Sequence, residues 1–360
     1  MGKKDKLNKL PMVSICTPTF NRRPFVPVMI KCFEHQTYPK DKIEWIIVDD
    51  GTDKIEELVR HIPQVKYFKY DEKMTLGKKR NLLNQKASGD IIVYMDDDDY
   101  YPPERISHAV DILRANPKAL CAGSSAMFIY FKHINKMIQF GPYGPNHATA
   151  ATFAFRRSLL SQTKFDENSS VAEERKFLKD YTIPFVQLDS RKSILVFSHN
   201  HNSFDKKELL SQGPNPNMHD TTITPADLVN EPEILKFFME DIDSLLDAYD
   251  PGKPQHKPDV TKQLAEIREN REKMIKEHME KQMQYQDTMN KLNMMNNPQA
   301  VQNKINEQTF IIQQLSNENG QLKDKVKYLE DKLKQLINER IQERIKDKHI
   351  QLSNKGPTIS

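Results

Sequence analysis

Cysteine is scarce in this chain: Cys16, Cys32 and Cys121 are the only three in 360 residues, and they lie far apart. No CxxC pair exists, so a zinc knuckle and a disulfide framework are both excluded. Cys16 and Cys32 fall in apolar patterns and are expected as core thiols in a reducing compartment. Long apolar runs are missing as well. None approaches the roughly 18 residues that a membrane span needs. The opening residues, Met-Gly-Lys-Lys-Asp-Lys, carry charge and no apolar leader segment. The expectation is a soluble, cytoplasmic protein. An excess of one charge is also lacking: the net charge is only +4, which gives no case for nucleic acid as a partner. Hydrophobic residues make up 37% and the mean hydropathy is -0.72. Both values are low for a fully globular chain, so part of it is expected as extended helix.

What the chain does have is an apolar run, Ile91 to Met95, that ends in four consecutive carboxylates, Asp96 to Asp99. Such a run reads as a buried strand. Its acidic end then belongs at the carboxyl edge of an open α/β sheet, where ligands bind. Four adjacent carboxylates raise each other's pKa unless a cation joins them. Mn²⁺ or Mg²⁺ fits that donor set. The plain alternative is a solvated acidic turn that caps the next helix.

Taken in order, a strand at 12–16 is followed by a polar loop, Thr17-Pro-Thr-Phe-Asn-Arg-Arg23, and a helix over about 25–35. A second strand at 44–48 ends in Asp49-Asp50-Gly51. That alternation predicts a βαβ unit with a parallel sheet and its functional loops on one edge. A helix at 54–61 and a strand at 65–70 come next. Gly77 then suits a tight backbone approach, and Lys78, Lys79 and Arg80 crowd a helix start that reads as a phosphate site. Lys78 reads equally as an ordinary surface lysine. After the aspartates the pattern gives a helix at 104–115, an apolar strand region at 119–131 and a helix starting at 156–160. Ser169 or Ser170 is placed to cap a helix with Glu173 and Glu174 in its first turn. Strands at 185–188 and 193–197 follow. The second runs into Ser198-His-Asn-His-Asn-Ser203, where His199 and His201 share a face if the strand continues.

These segments together resemble family 2 glycosyltransferases of the GT-A fold, over about residues 11–205. Val13-Ser-Ile-Cys-Thr-Pro-Thr-Phe-Asn21 is similar to the family's opening strand and loop. Trp45-Ile-Ile-Val-Asp-Asp-Gly51 resembles its second strand. Gly77-Lys-Lys-Arg-Asn81 through Ala87-Ser-Gly-Asp90 is similar to the segment before the DXD motif. Tyr94-Met-Asp-Asp-Asp-Asp99 with Pro103-Glu-Arg105 resembles the DXD strand and its helix. The fold class implied is α/β, a Rossmann-like mixed sheet. The function implied is metal-dependent, inverting transfer of a sugar from a nucleotide-diphosphate sugar, most readily a UDP-sugar, to a glycan or protein acceptor hydroxyl. By the same resemblance Thr17, Pro18, Thr19 and Asn21 line the nucleotide pocket, and Asp50 accepts a hydrogen bond from the base. Asp49 either assists or supports the loop, and Arg80 approaches the nucleotide or its diphosphate. Asp96 to Asp98 and Asp97 to Asp99 are two D-x-D readings. The favoured one puts Asp98 on Mn²⁺ (or Mg²⁺) and Asp96 toward the ribose, with Asp97 in the nucleotide-sugar site. Glu174 takes the position of the family's catalytic aspartate, one methylene longer, as general base. His199 or His201 matches the histidine that some relatives place near the metal.

The composition shifts near residue 205, and Gly213-Pro-Asn-Pro216 breaks the chain. The division expected is a basic tail at 1–10, the GT-A domain at 11–225 and an amphipathic helix at 226–249. A linker at 250–258, a coiled coil at 259–350 and a disordered tail at 351–360 complete it. In the coiled coil Ile305, Ile312, Asn319, Val326 and Leu333 take a positions, and Val301, Leu315, Leu322, Leu329 and Leu336 take d. β-Branched residues at a with Leu at d favour a parallel homodimer. Two further readings compete. One is a nucleotidyltransferase, disfavoured because Thr17-Pro-Thr-Phe-Asn21 contains no glycine. The other is a coiled-coil interaction protein with a degenerate GT-A domain.

Overall fold

The computed structural model describes residues 10–211, 215–295 and 298–353. The expected N-terminal tail therefore lies outside the described residues except for Leu10, as do residues 213 and 214 of the expected break and residues 354–360 of the expected C-terminal tail. The chain divides into two compact units at Asn270.

Among the described residues of the first unit, eleven strands form two sheets. The larger contains β1 (Val13–Thr19), β2 (Ile43–Asp49), β3 (Val65–Lys69), β4 (Ile91–Tyr94), β5 (Cys121–Gly123), β8 (Ala154–Arg156) and β9 (Phe185–Gln187), in the order β3-β2-β1-β4-β8-β5-β9. β3, β2, β1 and β4 run parallel, whereas β8 is antiparallel to both β4 and β5. The smaller sheet has the order β10-β6-β7-β11, from β6 (Met127–Phe131), β7 (Lys136–Phe140), β10 (Leu195–Ser198) and β11 (Met218–Asp220).

Alternation along the central strands divides the core. Val13, Ile15, Ile47, Ile91 and Val93 face one side, with α1 (Val26–Glu34) and α3 (Arg105–Ala115) packed on it. Cys16, Ile46, Val48, Ile92 and Tyr94 face the other, covered by α2 (Leu76–Lys86). β1, β2 and β4 are buried along their whole length, as strands covered on both faces must be. The chain leaves β1 toward β2 on one side and finds β4 on the other. The crevice at the carboxyl ends of β1 and β4 is thus the topological switch point, where α/β sheets bind ligands.

Several local expectations are corrected. β1 continues through Thr19 instead of looping out after Cys16. Its pairing with β4 ends at Cys16, while its pairing with β2 runs on to Thr19. Pro18 therefore sits where the strand has only one neighbour, and its missing N–H is tolerated there. The apolar stretch 119–131 is split into β5 and β6 by Ser124-Ser-Ala126. The helix expected to start at 156–160 is a short 3₁₀ turn, Arg157–Ser161, after β8. The expected helix at 226–249 is broken at 229–231, ahead of Pro232. It resumes as Pro232–Lys236, a π turn and then Ile242–Asp247, burying Ile234, Phe238, Ile242 and Leu246.

The expected linker is not free. Tyr249 Oη donates to Asp53 at 2.8 Å, and Asn21 Nδ2 donates to the Pro251 carbonyl at 2.9 Å. This segment leads into α5 (Pro258–Met295), whose first turns are bonded to Ser170 of the same unit.

The second unit holds the remainder of α5 and α6 (Pro298–Ser353). Residues 296 and 297 of the expected interruption lie outside the described residues. Along α6, Ile305, Ile312, Leu315, Leu322, Val326, Leu329, Leu333 and Leu336 are all exposed. No helix of the described residues is long and apolar enough to cross a membrane.

Candidate functional site

A cavity of about 330 Å³ opens at the carboxyl edge of β1 and β4, lined by Pro18, Arg22, Lys79, Asp96, Asp97 and Asp98 among others. That volume is at the small end of ligand pockets. The four aspartates follow β4 directly because the buried strand cannot carry them. Tyr101 fixes the turn by accepting the Asp96 N–H at 2.7 Å. Behind it, the fully buried Arg105 donates to the carbonyls of Tyr94, Thr152 and Phe153.

Each aspartate has a different environment. Burial works against charge on Asp98, but Arg22 Nη2 at 2.9 Å and His199 Nε2 at 3.4 Å outweigh it and hold its pKa well below the usual range. Asp97, with Arg22 Nε at 3.5 Å, is pushed up to about 7 by burial and by Asp98. Burial and Asp98 raise Asp99 well above the usual range, and its Oδ1 is buried without a partner. Asp96 is the most open, at 22% side-chain exposure, with Arg80 Nη2 at 3.5 Å. Burial raises its pKa too.

Of these carboxylates, Asp97 and Asp98 share Arg22, Asp96 has Arg80, and Asp99 has no cation within ion-pair distance among the described residues. Asp98 and the imidazole of His199, 3.4 Å apart, are oxygen and nitrogen donors of the kind that Mn²⁺ or Mg²⁺ accepts. Burial lowers the His199 pKa to about 4. Among the described residues no three acidic, His or Cys side chains converge as a closed ligand set. A cation bound here would therefore share its shell with substrate oxygens, as Mg²⁺ commonly does.

The other sequence-predicted residues are spread around this cavity. Pro18 lines it. Thr17 is buried in β1, donating to the Met95 carbonyl at 2.7 Å and accepting from Trp45 Nε1 at 2.9 Å. Thr19 contributes its carbonyl, which accepts from Lys79 Nζ at 2.9 Å. Asn21, at φ 51°, ties its loop to Asp53 and Pro251. Asp49 supports its loop by accepting from Gly51 N at 2.8 Å and Ile55 N at 3.2 Å. Asp50 is buried, with Oδ2 accepting from Met74 N at 2.6 Å and Oδ1 from Lys79 Nζ. Arg80 lies under the cavity floor. Its Nε donates to Glu173 at 2.8 Å and its guanidinium stacks 4.5 Å from the Tyr94 ring centroid.

Three expectations change here. The α2 N-terminus is not open to phosphate, because Thr75 caps it and Gly77 N donates to the Ser169 carbonyl at 2.8 Å. Lys78 is a surface lysine. α4 (Glu174–Phe177) has Glu173, not a serine, at its N-cap, without a side-chain cap bond. Ser170 instead donates to Asp259 Oδ2 at 2.6 Å and, through its amide, to Gln263 Oε1 at 2.8 Å. β10 stops at Ser198, so His199 and His201 do not share a face. The His201 ring packs toward Tyr249, 6.3 Å between centroids, and only its carbonyl faces the site, accepting from Arg22 Nη1 at 2.8 Å.

Glu174 is half-buried beside the cavity-lining Ala172 and Glu173. Burial and then Glu173 push its pKa up to about 7. Arg22 and Lys257 were not singled out from sequence; Lys79 was read only as part of a phosphate-binding helix start and Glu173 only as a residue of a helix first turn. Arg22 and Lys79 sit in motifs that were singled out, next to Asn21 and Arg80. Lys257 gave no signal, since its stretch reads as a linker. It is 4% exposed, and burial, with Arg22 next, lowers its pKa to about 6.

The family model described as Glycosyl transferase family 2 matches residues 14–179. A glycosyltransferase of Haemophilus influenzae is 29% identical over 122 residues, 32% of this chain and 48% of that protein. The poly(ribitol-phosphate) β-N-acetylglucosaminyltransferase TarS of Staphylococcus aureus is 28% identical over 101 residues, 27% of this chain and 18% of that protein. The chain thus spans about half the length, or less, of these curated relatives. Among solved structures, the mannosyltransferase PcManGT of Pyrobaculum calidifontis with GDP-Man and Mn²⁺ is 18% identical, with a TM-score of 0.45, covering 58% of this chain and 67% of that one. S. aureus TarS 1-349 with UDP-GlcNAc is 19% identical, with a TM-score of 0.41, covering 52% and 59%. Residues 14–179, on the mixed sheet described above, thus form a glycosyl transferase family 2 domain.

Proposed function

We propose that the protein is a metal-dependent, inverting glycosyltransferase that moves a sugar from a nucleotide-diphosphate sugar to an acceptor hydroxyl. The observation that carries this reading is the set of four carboxylates at the tip of β4, beside a cavity lined by Arg22, Lys79 and Lys257. Acidic groups alone would repel a diphosphate, and basic groups alone would not need the aspartates. The combination suits a diphosphate that arrives with a divalent cation.

Pro18 and the β1 loop form one wall for the nucleotide. Asp50 acts by holding Lys79 and the Met74 loop in place. Asp96 reaches toward the ribose, and Asp98 with His199 would hold Mn²⁺ or Mg²⁺. His201 contributes its carbonyl to Arg22. A bound divalent cation supplies Lewis-acid stabilisation of charge on the leaving diphosphate. Arg80 keeps Asp96 and Glu173 oriented. Glu174 takes the proton from the acceptor hydroxyl on the face opposite the leaving group, and a single displacement inverts the anomeric centre. A carboxyl with a pKa near 7 is well matched to a general base at neutral pH. Two of the solved structures named above hold UDP-GlcNAc and GDP-Man, so UDP- and GDP-sugars are the first donors to try.

The exposed apolar stripe of α6 supports a second part of the proposal, that two copies pair along it as a parallel coiled coil. The decisive experiment for the enzyme is donor hydrolysis and transfer across a panel of nucleotide sugars, with Mn²⁺ or with chelator. The wild type turns over at least one donor with Mn²⁺, and Asp98→Asn loses at least 100-fold. Turnover of no donor, or equal turnover in chelator, refutes the reading.

A further inference from the structure

The cations around the cavity are not equivalent. Arg22 is paired with Asp98 and Asp97, Lys79 with Asp50, and Lys73 with Asp259. Lys257 also lines the cavity, and among the described residues it has no carboxylate within ion-pair distance. Its Nζ has only two neutral acceptors, the His201 carbonyl and Ser203 Oγ, each at 3.3 Å. Both are long for N–H···O bonds. A side chain that is 4% exposed and so weakly satisfied costs stability unless an anion joins it.

The chain holds this lysine deliberately over the cavity. On one side, Tyr249 is bonded to Asp53 and Pro251 to Asn21. Gly252 is packed so closely that a Cβ would lie 2.6 Å from His201 Nδ1 and 2.8 Å from the Asn21 carbonyl oxygen. On the other side, Asp259 pairs with Lys73 and accepts from Ser170, while Gln263 accepts the Ser170 amide. Lys257 lies between these two anchorages. All of this strap lies beyond residues 14–179, the span that matches the family.

We propose that Lys257, carried on the strap 249–263, binds the diphosphate of the donor, so that the C-terminal segment completes a site that the family domain leaves open on that side. This rests on the nucleotide-sugar reading of the cavity. Lys257 and the β4 aspartates line the same cavity, and Arg22 shares the His201 carbonyl with Lys257 while pairing with Asp98, so an anion that reaches the amine also lies beside the proposed metal site.

The test is calorimetric titration of the full chain with UDP and GDP, and with the matching monophosphates and nucleosides, in Mn²⁺ and in chelator. Wild type, Lys257→Met and Lys257→Arg are compared. Lys257→Met is expected to weaken diphosphate binding at least tenfold and nucleoside binding by less than twofold, and Lys257→Arg to recover most of the loss. Without ligand, Lys257→Met is expected to melt at the wild-type temperature or above, because it removes a poorly satisfied buried amine. Unchanged diphosphate affinity in Lys257→Met overturns the proposal. So does an equal loss for diphosphate and nucleoside together with a lower melting temperature, which would mean that Lys257 only holds the strap. If the wild type binds no nucleoside diphosphate, the nucleotide-sugar reading itself fails, and this proposal falls with it.

Discussion

Gly77 opens α2 in a place where no other residue fits. A Cβ built on it lies 1.9 Å from the Asp166 carbonyl oxygen, 2.9 Å from its carbon and 3.3 Å from the Ser169 carbonyl oxygen. Ordinary C···O contact is about 3.3 Å, so Gly77→Ala must drive the 166–169 backbone away by roughly 1.4 Å. Both obstacles are backbone and cannot swing aside. The shift also strains the bond from Gly77 N to the Ser169 carbonyl, 2.8 Å in the wild type. Overpacking of this kind costs about 1–3 kcal/mol, and the hydrogen bond adds about 1 kcal/mol. The better helix propensity of alanine offsets about 1 kcal/mol. The net expectation is a loss of about 2 kcal/mol, or a melting temperature lower by roughly 4–8 °C for a unit of this size. The effect reaches the site, because the same loop leads to Ser170, which holds Asp259 and Gln263 of the strap. Thermal unfolding and nucleotide titration of Gly77→Ala measure both consequences. A melting temperature at or above that of the wild type would refute the reasoning, since it would show that the loop yields without cost.

Two further outcomes follow from the site and from the C-terminal unit. Glu174 must be deprotonated to accept a proton and its pKa is raised to about 7, so the transfer rate rises with pH up to about 7 and falls tenfold per unit well below it. Glu174→Gln keeps donor binding and loses turnover at every pH, and full activity in that variant would exclude it as the base. Leu322→Asp with Leu329→Asp, on the exposed stripe of α6, turns a dimer into a monomer in sedimentation equilibrium without changing nucleotide affinity. A wild type that is already monomeric at micromolar concentration would contradict the pairing.

The sequence by itself determined the sheet and the position of its active edge. Short apolar runs at 12–16, 44–48 and 91–95, each followed by polar or acidic residues, are enough to order a parallel sheet, because hydrophobic burial is read from local composition. It also determined that the four aspartates sit at a strand tip, since a buried strand cannot hold them, and that Gly77 marks a close approach. Only the tertiary structure decided which charges meet. Arg22 reaches Asp98 across 76 positions of sequence, Arg80 reaches Glu173 across 93, and Lys257 reaches His201 across 56. Pairings of that range depend on where the chain returns, and local pattern carries no trace of it. The same holds for His199 and His201, adjacent but one, which part company because β10 stops at Ser198. It holds for the strap too: Pro- and Lys-rich residues read as a spacer until Asn21, Asp53, Lys73 and Ser170 are found bonded to them. Burial follows from the kinds of residue in a segment, whereas the partner of a buried charge follows from the path of the whole chain.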